Sequence, residues 1–219
     1  MRYSPLLVTM LIFLIVRPIA NALFALPFPV DPLRYLILVC ALYAIRDRRV
    51  LFTCALVLAV GDMILRSLYE MGQSTLLLYV SHGLGFTAMV LVAFGISVEV
   101  LKSGEVTSDI VLGAVCMYFM IGVTWTFLFY WLEVIAPGSI LAHGSVIATY
   151  HLKDERFTDL LYLSVGALSS VGFLTNVSTT PLLGQLAVVE AIGGQLYLAV
   201  LIARLVGSQA SPGSVRPVP

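Results

Sequence analysis

Residues 164–173 read Ser-Val-Gly-Ala-Leu-Ser-Ser-Val-Gly-Phe, and this stretch decides the fold. It closes a short amphipathic segment, Phe157 to Ser169, and runs straight into a turn built on Gly172. A long apolar segment carrying Gly193-Gly194 follows. At ~1.5 Å per residue, a helix over 157–169 is too short to cross a ~30 Å hydrocarbon core. It can enter a membrane and return if protein shields its backbone from lipid. The order therefore predicts a re-entrant helix and loop, and then a spanning helix.

The rest of the chain supplies the membrane. Of 219 residues, 60% are hydrophobic and only 11% are charged, and the mean hydropathy is +1.02. A soluble domain of this length has no use for so much apolar surface, so the chain reads as an integral membrane protein. Six segments have the apolar character of a span: 5–25, 33–46, 50–68, 75–98, 108–132 and 182–206. The second is short. Arg2, the apolar run Leu6 to Val16 and Ala20-Asn21-Ala22 also fit a signal peptide, but Arg17-Pro18 interrupts the approach to that site, and the segment is read as the first span.

The Lys and Arg distribution predicts the orientation. Arg46, Arg48 and Arg49 crowd one loop, Lys102 lies in another and Arg204 ends the last span. Placing these inside puts both termini in the cytoplasm and leaves Arg34, Lys153 and Arg156 outside. Trp125, Tyr130 and Trp131 then fall at the outer interface, as an aromatic belt does. Net charge is zero with no basic tract, which argues against nucleic-acid binding. There is no phosphate loop, His-Glu-x-x-His or nucleophile elbow, and the chain is not read as an enzyme. Cys40, Cys54 and Cys116 fit no zinc or redox spacing and read as core cysteines.

From about residue 107 to the end of the last span, the chain resembles the two-helix pore domain of bacterial potassium channels. Four runs carry the resemblance. They are Leu132-Glu133-Val134-Ile135-Ala136-Pro137-Gly138, Phe157 to Ser164, Ser169-Ser170-Val171-Gly172-Phe173, and Glu190 to Arg204. In that family the backbone carbonyls of a Thr-Val-Gly-Tyr-Gly filter replace the water around the ion, and four subunits surround it. The resemblance implies a homotetramer with the filter on Ser170, Val171, Gly172, Phe173 and Leu174. Potassium would be held at Ser170, Val171 and Gly172 through carbonyls and the serine hydroxyl. It also implies a pore helix whose negative C-terminal dipole end favours cations.

Two positions depart from the pattern. Leu174 replaces the second glycine, whose backbone takes φ > 0, at a cost of ~1–2 kcal/mol in each subunit. Thr175 replaces the acid that commonly follows. The expectation is a channel for monovalent cations, potassium favoured, with an altered outer filter. A weakly selective channel, or a channel homologue serving as a regulatory subunit or sensor without conducting, are the alternatives.

Several residues carry two readings. Gly193 and Gly194 are an inner-helix hinge or a close packing contact. Glu190, embedded one turn earlier, is a functional acid or a pore-supporting structural one bonded to the pore helix. Asp154, Glu155 and Asp159 are an acidic outer ring or helix-capping, solvated residues; Thr175 and Asn176 complete the outer mouth. His143 and His151 are a pH or metal sensor or plain surface histidines. The fourth span, 75–98, has no Lys or Arg and is no voltage sensor. Asp62 and Arg66 stand four apart on one helix and read as a pair, and His82 as an interhelical hydrogen bond.

The expected organisation is an all-α membrane protein: a four-helix domain over 1–104, a pore domain over 105–207 and a disordered tail over 208–219. No cofactor is expected beyond the permeant cation. The expected partners are three further copies and membrane lipid, with no soluble ligand-binding domain, in a bacterial inner membrane.

Overall fold

The structure is a computed structural model, and it describes residues 2–16, 19, 30–72, 74–102, 107–135, 140–142, 145–146, 153–171 and 177–210. Helix α1 covers Ser4–Leu11 and continues as a π-helical turn, Ile12–Val16. Helices α2 (Val30–Ala44), α3 (Arg49–Gly72), α4 (Thr75–Lys102) and α5 (Ser108–Ile135) follow. Helix α6 spans Lys153–Leu168 and α7 spans Pro181–Ala210. Pro181 opens α7 at its first turn, where a missing N–H costs nothing.

Among the described residues, four helices are long and apolar enough to cross a membrane. These are Arg49–Tyr69, Leu76–Lys102, Ser108–Ile135 and Pro181–Gly207. The described parts of the first two expected spans are shorter apolar helices, Ser4–Ile15 and Arg34–Ala44. The last span runs on to Ala210, into the segment expected to be disordered.

A small sheet was not foreseen. Strands β1 (Ile140–Ala142), β2 (Ser145–Val146) and β3 (Val177–Thr179) pair antiparallel in the order β2-β1-β3. In register, Ile140 faces Thr179 and Ala142 faces Val177. The two connections flanking α6 are thereby joined to each other.

The larger core lies where α1, α2, α4 and α5 meet, filled by Leu6, Met10, Ile37, Met89, Ile96 and Met120 among others. Helix α3 packs along α4 but leaves much of its apolar surface exposed, including Val57, Met63 and Leu68. Cys116 is buried, Cys40 is half-buried and Cys54 is exposed on α3, so the expectation of three core cysteines fails at Cys54.

Asp62 finds a partner on another helix rather than in Arg66. Its Oδ2 takes a hydrogen bond from Arg34 of α2 at 2.8 Å, and its Oδ1 takes one from Ser81 of α4 at 2.6 Å. Arg34 is only 5% exposed and Asp62 is 2% exposed. The Arg34 guanidinium also lies 4.7 Å from the Tyr35 ring centre and 5.5 Å from that of Phe127. A buried charge needs such an enclosure, and Gly85 leaves room for the carboxylate: a Cβ there would stand 3.3 Å from it.

One end of the bundle is tied by charge. Arg2 Nη1 contacts Asp47 at 2.8 Å and Glu99 at 2.5 Å, and the Arg2 N–H donates to Asp109 at 2.8 Å. Arg2 also donates to the Ala44 carbonyl at the end of α2. On the next residue of α4, the Val100 carbonyl accepts from Arg204 of α7. The N-terminus, the α2–α3 turn, the α4–α5 junction and the end of α7 therefore meet at the same end.

Candidate functional site

Helix α6 is the element on which the site is built. Its apolar positions recur at three- and four-residue intervals, so Leu160, Leu163, Ser164, Ala167 and Leu168 form one buried stripe. That stripe packs against both α5 and α7. Leu160, Leu163 and Ala167 join Phe129, Leu183 and Ala187 in a second, smaller core, whereas Leu161 of the same helix belongs to the larger one.

Polar contacts fix α6 within this apolar frame. The buried Ser164 hydroxyl lies 2.7 Å from the Gly122 carbonyl of α5. It is also hydrogen-bonded to Glu190 Oε1 of α7. The Gly122 carbonyl additionally accepts from the Thr126 hydroxyl at 2.9 Å. Glu190 is 1% exposed, and its other oxygen has no hydrogen-bond partner among the described residues. One short side chain thus joins three helices.

The C-terminal end of α6 is held as firmly. The last-turn carbonyl of Leu168 accepts from the Tyr118 hydroxyl of α5 at 3.0 Å. On the other side, a Cβ on Gly194 of α7 would stand 2.7 Å from that same carbonyl oxygen, a distance no side chain tolerates. Gly193, by contrast, faces open space. Tyr118 stacks on Tyr197 of α7 at 6.3 Å, and the Tyr197 hydroxyl donates to the Ala114 carbonyl at 2.7 Å.

These contacts give α6 a depth. Tyr118 is ten residues into α5 and Gly194 thirteen residues into α7, about 15 and 20 Å along helices roughly 40–45 Å long. Helix α6 therefore ends opposite the middle of its two long neighbours. Beyond it, the Ser170 N–H bonds the Ala167 carbonyl at 3.0 Å, and Ser170 takes φ +56°, the left-handed conformation that ends many helices. Ser170 is exposed and Val171 is 87% exposed. Gln195 of α7 donates to the Ser170 hydroxyl at 2.9 Å.

Among the residues singled out from sequence, Gly194 and Ser170 lie at the end of α6, and Glu190 meets Ser164 about one turn before it. Gly172, Phe173, Leu174, Thr175 and Asn176 lie outside the described residues, as do His143 and His151. Asp154, Glu155 and Asp159 are within α6. His82 bonds its own helix through the Leu78 carbonyl at 2.7 Å and stacks on Tyr130 of α5 at 4.8 Å. Trp131 packs across Gly83 of α4 and donates to the Tyr79 carbonyl at 3.2 Å.

Tyr118, Gly122, Tyr197 and Gln195 had not been singled out. The available signal was a phenol or amide inside an apolar span, where each polar group requires a partner. No group of three or more His, Cys, Asp or Glu that could hold a metal occurs among the described residues. Comparison of the chain with protein-family models, with characterised proteins and with solved structures returned no match.

Proposed function

We propose that the chain is one subunit of a homotetrameric, potassium-channel-like cation channel. Its pore is formed by α5, α6, residues 170–174 and α7. The observation that carries this reading is the depth of α6: a 16-residue helix that ends opposite the middle third of two spanning-length neighbours. A helix ending there presents its negative dipole end at mid-membrane, where it lowers the energy of a cation. The Leu168 carbonyl capped by Tyr118 and the left-handed Ser170 give that end a defined geometry from which a row of carbonyls can start. One such loop cannot enclose an ion, so four chains are required.

The clustering of Arg2, Arg46, Arg48, Lys102 and Arg204 towards one end supports a cytoplasmic location for both termini. The proposed location is a bacterial inner membrane, with α1 and α2 completing six membrane-inserted helices. The Leu174 substitution favours a second form of the reading, a channel of weak selectivity.

Purified protein in liposomes tests the proposal, with potassium, sodium or N-methyl-D-glucamine as the only permeant cation. Potassium-only flux is the expected result. Equal potassium and sodium flux, sharpened by Leu174→Gly, establishes the weakly selective form. No cation flux from either protein overturns the conducting reading and leaves the non-conducting regulatory homologue.

A further inference from the structure

Gln195 occupies an unusual place on α7. Every other exposed side chain on that helix from Val188 to Val206 is apolar, or is absent at Gly193. An amide facing hydrocarbon is disfavoured because its remaining hydrogen-bonding groups find no partner there. Its position is also specific. It follows Gly194, the residue wedged under the end of α6, and its Nε2 donates to the Ser170 hydroxyl at 2.9 Å. Ser170 is thereby held twice, by its own N–H on the Ala167 carbonyl and by its side chain on Gln195.

We infer that Gln195 is a positioning residue for the inner end of the conducting stretch: it orients the Ser170 hydroxyl and faces a water-filled lumen rather than lipid. The inference rests on the channel reading above. The hydrogen bond from Gln195 fixes the Ser170 hydroxyl and so fixes where its remaining lone pair points. Gln195 therefore sets how strongly a cation is held at Ser170. Gln195→Glu removes the donor, so the Ser170 hydroxyl must donate instead, and both the freed lone pairs and the added charge favour a cation. Gln195→Leu leaves the hydroxyl unheld.

The probe is barium, a divalent cation close to potassium in size, added at the side of the termini while potassium flux is measured in liposomes. Gln195→Glu, close in shape to the native side chain, is expected to lower the half-blocking barium concentration at least ten-fold. Gln195→Leu and Ser170→Ala are each expected to raise it about two- to ten-fold, the range of one hydrogen bond. The double variant is expected to go no further than either single one. Gln195→Cys, with Cys54→Ser to remove the exposed native thiol, is expected to react with a membrane-impermeant cationic thiol reagent and to lose flux.

Absence of potassium and sodium flux in the unmutated protein overturns the channel reading, and this inference with it. Flux in the unmutated protein with unchanged barium block in Gln195→Glu, with additive effects of Gln195→Leu and Ser170→Ala, or with an unreactive Gln195→Cys overturns the inference alone.

Discussion

At the scale of single residues, two adjacent glycines have opposite surroundings. A Cβ on Gly194 would stand 2.7 Å from the Leu168 carbonyl oxygen, whereas one on Gly193 would meet nothing within 4 Å. Gly194→Ala is therefore expected to push α6 off α7 and to destabilise the protein by about 1–3 kcal/mol. Gly193→Ala is expected to be neutral or slightly stabilising, because alanine is the better helix former. Thermal unfolding of the two variants in detergent separates them, and equal losses would dismiss the packing asymmetry. Glu190 offers a similar contrast. Glu190→Gln keeps an oxygen for the Ser164 hydroxyl and is expected to be tolerated. Glu190→Leu leaves Ser164 with the Gly122 carbonyl alone and is expected to cost about 1–3 kcal/mol by the same measurement. Both residues were visible in the sequence as polar or small positions in an apolar run. Which of the two glycines packs was not, because it depends on the rotational setting of α7 against a helix of different depth.

At the scale of elements, the structure explains why some pairings were legible and others were not. Helix α6 could be placed between α5 and α7 from its length and its amphipathic stripe. The Asp62 partner could not be found the same way. Spacing along one helix points to Arg66, but the carboxylate is buried, and burial selects a partner that can approach through the core, Arg34 of α2. Asp62→Asn is expected to destabilise the four-helix part by about 3–5 kcal/mol, since it leaves the Arg34 charge buried without its counter-ion. Replacing both partners by Met and Leu is expected to cost less than the single change, which calorimetry or denaturant titration of the two variants decides. Tyr118→Phe removes the hydroxyl that caps Leu168 and nothing else. The expected loss is about 0.5–1.5 kcal/mol, with a faster exchange of the amide protons in the last turn of α6.

At the scale of the whole molecule, composition alone identified a membrane protein, and four long apolar helices agree with it. The helix ends were misjudged because α4, α5 and α7 run past the apolar stretch that marks them in sequence. The three-stranded sheet was illegible for another reason: strands of two or three residues have no readable alternation, and distant pairing alone defines them. Native mass spectrometry in detergent is expected to give four copies, and a monomer as the largest species would remove the enclosure that the proposed channel requires. The β1–β3 pairing has a consequence for how the chain tolerates change. Strands β1 and β3, on either side of α6 in the chain, are stitched together, Ile140 to Thr179 and Ala142 to Val177. Both β2 before α6 and β3 after it are paired to β1, so each connection of α6 ends on an anchored strand. Depth and footing of α6 are thereby set from the same small sheet, and extra residues on either side of the helix are tolerated only where they leave those pairings in place.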